Sequence, residues 1–414
     1  MKKPIIKLHR HLLDQLALGL VDVFAHQQLA EKVVERNLKS QRKWGARDRR
    51  FYAENIYGCV RWWRKLWYCL DLPEPKSTTN TEALQAWASF WILNGNEIPP
   101  DLEISGITSE KILRRAKELL NDSNKLALAE SIPDWMNEWG FRERGDRWSS
   151  ILKSLNEPAP VDLRVNTLKI SREKLQDKLR QEEIFTDIIP SCSTGLSLQS
   201  RKNVFTSECF RLGYFEVQDR GSQQIAPLLP LQSGAKVIDA CAGGGGKTLH
   251  LANLMQNKGQ IIAMDVHDWK LKELQKRAVR NGIEGIETRL IVGNETIESL
   301  KEFADAVLLD VPCSGSGVLR RHPDSKWKLK MTEIESLRET QAMILKNYSS
   351  MVKAGGYLLY ATCSIMNSEN QQQVENFLRS PEAMAQGWKL LRDLQIDPDQ
   401  NLGDGFFAAL LQRS

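Results

Sequence analysis

The 414 residues are 42% hydrophobic and 26% charged, as in an ordinary soluble protein of two or three domains, and the net charge of +5 permits a nucleic-acid partner without requiring one. The seven cysteines form no Cys-x-x-Cys pair and their number is odd, which argues against a zinc site and a disulfide framework. Because no apolar run is long enough to span a membrane, we expect a cytoplasmic protein with free thiols, no bound metal and no membrane partner.

Residues 1–130 are predicted to form one all-helical domain. Apolar residues recur at helical spacing over residues 12–23 and again from Leu29, which predicts two amphipathic helices. Residues 37–72 then mix basic and aromatic side chains, a composition found where proteins bind phosphates and stack on bases. The basic residues are Lys39, Arg42, Lys43, Arg47, Arg49, Arg50, Arg61, Arg64 and Lys65, and the tryptophans are Trp44, Trp62, Trp63 and Trp67.

This basic and aromatic segment has a second interpretation. The aromatic side chains would form the core of a helix and the charges its solvated face. The helical spacing of the tryptophans favours the core for them. For the arginines we slightly favour a contact with RNA.

Residues 131–230 are predicted to hold linker helices followed by a small α+β lobe. Residues 161–168 alternate as a strand does, and residues 171–183 form an amphipathic helix with Ser171 as its N-cap. Short strands are predicted at Ile188–Ile189 and Leu196–Leu198.

Residues 231–414 are predicted to form an α/β domain, because strands and helices alternate from Lys236 onward. Such alternation is typical of a parallel sheet covered by helices. The predicted strands are Val237–Asp239, Ile261–Asp265, Arg289–Val292, Ala306–Asp310, Tyr357–Ala361 and Phe406–Leu410, and the clearest helices are Lys270–Asn281 and Thr332–Val352.

A glycine-rich turn follows the first of these strands, in the sequence VIDACAGGGGKT at residues 237–248. A phosphate-binding P-loop needs a glycine where Cys241 stands, and the dinucleotide pattern G-x-G-x-x-G also fits poorly. An adenosyl ligand over the turn remains, because the next strand ends in Asp265, which is placed to hold ribose hydroxyls. The alternative is a plain glycine turn in a structural domain, and the position of Asp265 argues against it.

Two later strands each end near a cysteine, in Asp310-Val311-Pro312-Cys313 and in Thr362-Cys363. Ligands bind at the carboxyl ends of strands in such sheets. Two thiols facing a methyl donor suggest covalent catalysis on a pyrimidine, since addition of a thiolate to carbon 6 makes carbon 5 nucleophilic. The alternative for a single free cysteine is a small buried hydrophobe. The pairing of the two motifs favours chemistry, whereas Cys241 is expected to pack under the glycine turn.

These motifs together resemble the RsmB/NSUN-type RNA cytosine-5 methyltransferases. The resemblance rests on DACAGGGGKT, DVPCSGSG, RRHPDSKW, GGYLLYATCS and DGFFAAL, with RVNTLK and VQDRGSQ upstream. The stretch GARDRRFYAENIYGCVRWWR is similar to the NusB-like helical domain of the RsmB branch. The resemblance implies a Rossmann-like class I methyltransferase domain that uses S-adenosylmethionine, preceded by a small α+β lobe and an all-α NusB-like RNA-binding domain.

The same resemblance implies a role for each matching residue. Cys363 would be the nucleophile, Cys313 would assist product release, and Asp310 would contact the target base close to the cofactor. Asp265 would bind the ribose of the cofactor and Asn294 its adenine. The methionine end of the cofactor would lie on the loop formed by Cys241, Ala242, Gly243, Gly244, Gly245, Gly246 and Lys247.

The chain departs from the family pattern in two places. Gly293-Asn294 stands where an acid near the adenine is usual, but the Asn294 carbonyl oxygen can still accept a hydrogen bond from the adenine amino group. Gly243-Gly244 stands where an Ala-Pro pair is common, which predicts a more flexible loop.

We therefore expect a monomeric S-adenosylmethionine-dependent RNA cytosine-5 methyltransferase. Small-subunit (16S-type) ribosomal RNA is the first candidate substrate and transfer RNA the second. The alternatives are a non-catalytic RNA-binding or ribosome-assembly factor, which the four residues Cys363, Cys313, Asp310 and Asp265 argue against, and a DNA methyltransferase, which would attack with the other cysteine.

Overall fold

The computed structural model describes residues 9–100 and 102–414, and it divides into two compact units. The helical unit holds the chain through Asn156 together with Leu319–Leu329, and the sheet unit holds Glu157–Val318 and Lys330–Ser414. The predicted boundaries at residues 130 and 230 have no counterpart in this division, because the linker helices group with the N-terminal helices and the small lobe groups with the large sheet. The division into three domains stays a prediction.

The helical unit is built on amphipathic helices, as the apolar spacing predicts. Its core is formed largely by leucine, alanine and tryptophan side chains. The helices are α1 (Arg10–Phe24), α2 (Ala30–Ser40), α3 (Ala46–Leu70), α4 (Asn80–Leu93), α5 (Ser109–Leu120), α6 (Leu126–Ala129), α7 (Asp134–Arg144) and α8 (Trp148–Leu155).

The tryptophans of the basic and aromatic segment lie mostly in this core. Trp44, Trp63 and Trp67 are buried, which confirms the core interpretation for them, whereas Trp62 is half-buried. The ring of Trp63 stacks on Phe24 with centroids 3.7 Å apart. Stacked aromatic pairs add to the stabilisation that burial of their apolar area provides.

The RRHPDSKW motif packs inside the helical unit although it follows a catalytic-type cysteine motif in sequence. Trp327 Nε1 donates to the Val60 carbonyl at 2.7 Å, and Lys326 Nζ donates to the Arg61 carbonyl at 2.8 Å. The buried Asp324 carboxylate accepts from the backbone N–H of Ala30, the first residue of α2, at 3.1 Å. These bonds satisfy backbone groups of α2 and α3, so this segment supports the helices.

A small lobe opens the sheet unit. Its four antiparallel strands have the order β2-β3-β1-β4, and the Ser171 hydroxyl caps its longest helix by accepting from Lys174 N–H, as predicted. The elements are β1 (Asp162–Val165), α9 (Arg172–Gln181), β2 (Thr186–Ile188), β3 (Gly195–Leu198), α10 (Glu208–Arg211), β4 (Phe215–Val217) and α11 (Arg220–Gln223).

The large sheet has the strand order β10-β11-β9-β8-β5-β6-β7, with the last five strands parallel and β11 antiparallel to both of its neighbours. Its elements are β5 (Lys236–Asp239), α12 (Gly246–Leu254), β6 (Gln260–Asp265), α13 (Asp268–Asn281), β7 (Ile286–Leu290), α14 (Asn294–Glu298), β8 (Ala304–Asp310), α15 (Ser325–Lys328, within the helical unit), α16 (Met331–Tyr348), β9 (Val352–Thr362), α17 (Gln371–Leu378), α18 (Pro381–Ala385), β10 (Lys389–Ile396), α19 (Pro398–Asn401) and β11 (Phe406–Gln412).

The central strands match the predictions, and the differences lie at the edges of the sheet. Strand β7 covers Ile286–Leu290, several residues before the predicted 289–292, and strand β10 was not predicted. Both are edge strands with mostly exposed or half-buried side chains, so their apolar residues give no clear pattern. Of the helices in the described part of the chain, none is long and apolar enough to cross a membrane.

Two apolar cores cover the faces of the large sheet, so the sheet is a rigid support for the loops at its ends. The chain runs from β5 outward to β7 and then returns to β8 on the other side of β5. In open α/β sheets ligands bind at such a reversal, beyond the carboxyl ends of the strands. The glycine turn follows β5 at this position.

Candidate active site

The glycine turn needs glycine at two of its four positions. Gly243 and Gly245 have φ angles of +55° and +87°, in the left-handed region. A Cβ on Gly245 would also lie 2.5 Å from Leu274 Cγ of α13. A Cβ on Gly243 would meet no atom within 4 Å, so open space lies above this residue. The turn is therefore packed on one side and open on the other.

Three hydrogen bonds from side chains hold the turn in place. The Asp265 carboxylate at the end of β6 accepts from Gly243 N–H at 3.0 Å. Arg277 donates to the Gly244 carbonyl at 2.5 Å, and Arg164 of the small lobe donates to the Gly246 carbonyl at 2.6 Å. The two arginines restrain a turn that the sequence predicts to be flexible.

An ion pair between a buried lysine and a half-buried aspartate joins the glycine turn to β8. Lys247 Nζ lies 2.6 Å from Asp310 Oδ2, and it also lies over the ring of Phe406, 5.3 Å from the centroid. Burial lowers the pKa of Lys247, but the Asp310 carboxylate more than offsets this, so the pKa lies above its ordinary value. The ammonium is therefore charged, and it is fixed beside a carboxylate that faces the loop after β8.

The two cysteines of the β8 and β9 loops meet. Their sulfurs, Cys313 Sγ and Cys363 Sγ, are 3.3 Å apart, and both side chains are half-buried. The hydrogen bond to Cys363, then burial, then the nearby negative charges raise the pKa of the Cys313 thiol well above its usual value. Either sulfur can donate the hydrogen in this contact.

Two family models match most of the sheet unit. The 16S rRNA methyltransferase RsmB/F model matches residues 226–412, and the RsmF/B-like ferredoxin-like domain model matches residues 132–205. A Synechocystis protein named probable ribosomal RNA small subunit methyltransferase B is 32% identical over 416 aligned residues, 89% of this chain and 92% of that protein. The chain belongs to the RsmB/F methyltransferase family. A similarly named protein of Coxiella burnetii is 30% identical over 86% of this chain and 91% of its own length.

Solved structures of similar fold support the methyltransferase fold. The crystal structure of PH0851 covers 99% of this chain and 100% of its own, with 25% identity and a TM-score of 0.80. A methyltransferase homologue from Pyrococcus horikoshii covers 70% of this chain and 98% of its own, with 26% identity and a TM-score of 0.62. The Rossmann-like methyltransferase fold is thereby confirmed, whereas the NusB-like assignment of the helical unit stays a prediction.

S-adenosylmethionine is the cofactor of this RsmB/F protein, as predicted. The geometry around β6 fits it: the buried Asp265 keeps free acceptor capacity, because each carboxylate oxygen has two lone pairs. Two apolar side chains beyond the carboxyl ends of these strands are exposed, Val266 after β6 and Val292 after β7. Asn294 begins α14 and is exposed beside Val292 in the chain. The roles of Asp265 and Asn294 stay predictions.

The predicted site residues occupy one end of the RsmB/F sheet, since the glycine turn, Asp265, Asp310 and both cysteines follow the carboxyl ends of β5, β6, β8 and β9. Cys241 packs against the core under the turn, in line with its expected structural role. The sequence assigned Lys247 to the cofactor loop and did not predict its bond to Asp310. A lysine next to a glycine run was the available signal, but its partner lies 63 residues away.

Proposed function

We propose that this protein methylates carbon 5 of a cytosine in RNA through a covalent adduct on Cys363. The observation that carries the proposal is the convergence of two thiols, 3.3 Å apart, with the Lys247–Asp310 pair at the carboxyl edge of the sheet. Carbon 5 of cytosine is a poor nucleophile, so the ring must be activated before it can take a methyl group. A sulfur added at carbon 6 supplies that activation.

Cys363 is the better candidate for the attacking group. Its sulfur lies 3.3 Å from that of Cys313, and the surroundings of Cys313 raise the pKa of the Cys313 thiol, which disfavours Cys313 as the attacking thiolate. A thiolate is the nucleophilic form of cysteine. This arrangement supports Cys363 as the nucleophile and leaves Cys313 to assist the later release, when the carbon 5 proton is removed and the carbon–sulfur bond breaks.

The Lys247–Asp310 pair would hold the base in the adduct. A carboxylate that a buried lysine fixes at 2.6 Å has little freedom, so it can direct its remaining lone pairs to the edge of a cytosine. Asp310 would thereby orient the base while the thiolate adds, and the negative charge that the sulfur brings to the ring is neutralised by a proton taken up at ring nitrogen 3. S-adenosylmethionine supplies the methyl group, and the glycine turn with Asp265 would hold its methionine and ribose ends.

Ribosomal RNA of the small subunit is the first candidate substrate, because relatives with this domain content carry that name. Transfer RNA is the second. The target base must leave its stack to reach Cys363, at a cost of a few kcal/mol that an unpaired segment would lower. We further propose that the protein acts as a monomer in the cytoplasm.

Adduct trapping tests the proposal. Purified variants are incubated with labelled S-adenosylmethionine and with unmodified small-subunit rRNA or tRNA, and protein–RNA adducts are resolved on denaturing gels. Cys313→Ala should accumulate an adduct because release is blocked, and Cys363→Ala should form none. Cys192→Ala, which removes a thiol of the small lobe, is the matched control and should behave as the wild type.

Three results would contradict this assignment. An adduct on Cys363→Ala but not on Cys313→Ala would give the attack to Cys313, as in a DNA-type mechanism. RNA binding with no methyl transfer to either RNA would favour a non-catalytic assembly factor. Methyl transfer to tRNA alone would make tRNA the substrate in place of ribosomal RNA. Bisulfite mapping of RNA from a deletion strain then identifies the cytosine.

A further inference from the structure

Glu369 is a buried acid near the two cysteines. It ends a single 3-10 turn, Asn367–Glu369, between β9 and α17, and its side chain has 0% of its surface exposed. A buried carboxylate is costly unless hydrogen bonds replace its hydration. An acid buried this completely therefore needs several donors, and the neighbouring elements supply them.

Four hydrogen bonds reach this carboxylate. One oxygen accepts from the backbone N–H of Ser314 at 2.8 Å and from Gln341 Nε2 of α16 at 3.1 Å. The other accepts from the hydroxyls of Ser314 at 2.5 Å and Ser364 at 2.6 Å. These four donors are neutral groups, so hydrogen bonds hold the carboxyl group and it is not half of an ion pair.

The donors lie directly beside the two reactive thiols. Ser314 follows Cys313 and Ser364 follows Cys363, so one carboxylate binds the loops after β8 and β9 at once. Other hydrogen bonds join the same loops: Gly317 N–H donates to the Cys363 carbonyl at 3.0 Å, and the Ser316 hydroxyl lies 2.9 Å from the Ser364 hydroxyl and accepts from Ile365 N–H at 3.1 Å. Glu369 differs from these in being a carboxyl group, and three of its four bonds go to residues adjacent to the cysteines.

We propose that Glu369 is a positioning residue that fixes the spacing of Cys313 and Cys363 and places its carboxyl group next to the Cys313 loop. The proposal rests on the proposed two-cysteine mechanism and deepens it, because one buried acid would hold the two thiols in positions suited to their different roles. The carboxylate does not touch the substrate, so it acts through the two loops. A carboxylate fixed next to the Cys313 loop disfavours a negative charge on the Cys313 sulfur.

The charge of Glu369 is among the causes that raise the pKa of Cys313, after the Cys363 contact and burial. This gives the proposal a readout that a purely structural role would not change. If Glu369 became neutral while its shape stayed the same, the Cys313 thiol would ionise at lower pH. A structural role alone predicts lower stability and no directed shift of this ionisation.

The first experiment measures alkylation of Cys313 by iodoacetamide against pH, read by mass spectrometry of its peptide. Cys363→Ser is the background, so that one reactive thiol of the pair remains, and Glu369→Gln is added to it. We expect the alkylation midpoint of Cys313 to move about one pH unit lower, which is about tenfold faster labelling at fixed pH below both midpoints. Glu375→Gln, an exposed acid on α17, is the matched control and should cause no shift.

The second experiment measures methyl transfer with Cys363 intact. Glu369→Gln replaces one accepting oxygen by an NH2 group, so either Ser314 N–H and Gln341 lose their acceptor or both serine hydroxyls must turn to accept. In either case we expect the loops to shift apart. We expect kcat to fall by about 10²-fold, the loss typical of misplacing a reacting group by 1 Å, with the Kd for S-adenosylmethionine within about twofold of wild type. Glu375→Gln should keep wild-type kcat.

An unshifted Cys313 midpoint in a folded Glu369→Gln protein, or wild-type kcat, would overturn the role of Glu369. If Glu369→Gln fails to fold, Ser314→Ala and Ser364→Ala carry the test, because each removes one hydroxyl donor. Each should lower kcat about tenfold, and two folded variants with wild-type kcat would overturn the proposal. Failure of the proposed function is separate, since it would appear as wild-type protein without methyl transfer, while the alkylation experiment requires no RNA.

Discussion

Two regions of the chain place charged side chains beside residues of a special kind: aromatic rings in the helical unit, and glycines and cysteines at the carboxyl edge of the large sheet. The charged side chains have different partners in the two regions. In the basic and aromatic segment of the helical unit, Arg49 donates to the backbone carbonyls of Leu38 and Trp44 at 2.7 and 3.0 Å, so a charge supports local architecture. At the carboxyl edge of the large sheet, the buried Lys247 is instead paired with the half-buried Asp310. The two regions differ in the partner of the charged group, which is a backbone carbonyl for Arg49 and a carboxylate for Lys247. Sequence composition does not reveal this partner.

The comparison shows which kind of burial indicates chemistry. Buried aromatic rings lower the free energy of the fold wherever they pack, and they require no ligand. Buried charges raise it unless partners are arranged for them, so they persist mainly where the arrangement has a further use. The predictions below separate these two kinds of residue, in order of decreasing expected effect.

Removal of a core ring in the helical unit should have the largest effect. Trp63→Ala should lower the free energy of unfolding by about 3 to 5 kcal/mol, because the ring is 1% exposed and stacks on Phe24. The measurement is urea unfolding followed by circular dichroism. Trp62→Ala is the matched control, since this neighbouring ring is half-buried and should cost less. If Trp63→Ala were fully stable and lost RNA affinity, the core interpretation would be wrong.

Removal of the buried Lys247 charge, at the carboxyl ends of the central strands, should slow methyl transfer. Lys247→Met leaves the Asp310 carboxylate without the cation that fixes it, so kcat should fall by about 10²- to 10³-fold, or about 3 to 4 kcal/mol of barrier. Lys346→Met is the control, because the Lys346–Glu382 pair has a similar distance of 2.8 Å but both side chains are more than half exposed. Exposed pairs contribute about 0 to 1 kcal/mol.

Equal kinetics for Lys247→Met and Lys346→Met would show that burial does not distinguish the two pairs. A Lys247→Met protein whose only defect is a weaker affinity for S-adenosylmethionine would instead support the assignment of Lys247 to the cofactor loop. Single-turnover methyl transfer at saturating cofactor separates these outcomes, since it removes cofactor binding from the measured rate.

The same contrast explains what the sequence could predict. The central strands, the glycine turn and the pair of cysteine motifs are local patterns, so each is visible within a few residues. Glu369 is one acid in a polar run, and its donors Ser314 and Gln341 lie 55 and 28 residues away. Such long-range polar contacts follow from the fold, which no local spacing encodes. Edge strand β10 was not predicted for a related reason, because its charged, exposed side chains show no buried face.

Asp239, a buried acid at the carboxyl end of strand β5, should make the free energy of unfolding depend on pH. Burial raises the pKa of Asp239 to about 7, although the Thr248 hydroxyl donates to it at 2.7 Å. The native state therefore binds a proton between about pH 4 and 7 that the unfolded state has released, so this group's contribution falls as pH rises through that window. Asp239→Asn should thus gain stability relative to wild type by roughly 2 kcal/mol from pH 4 to 8, below the full value of the shift because relaxation reduces it.

Urea unfolding of both proteins across this range checks the sign. Glu216→Gln should behave oppositely: burial raises the pKa of Glu216, but Arg277, Asn281 and Arg280 together lower it overall. Its contribution is present above the ordinary pKa of glutamate and is lost in acid, so Glu216→Gln should be most destabilising at neutral pH. Parallel pH profiles for the two variants would contradict the assigned environments.

The smallest effect is expected at the exposed basic residues of the helical unit, where the sequence slightly favours an RNA contact. Arg42, Lys43 and Arg47 are exposed around the start of α3, whereas Arg49 is half-buried on backbone carbonyls. Replacing the three exposed residues by alanine should leave stability within about 0.5 kcal/mol. If they contact phosphates, each loss should flatten the slope of log affinity against log salt by about 0.7 on single-stranded RNA. Arg49→Ala should do the reverse, with lower stability and an unchanged slope. A triple variant with the wild-type salt slope would make these charges a solvated face, and the helical unit would then bind RNA elsewhere or not at all.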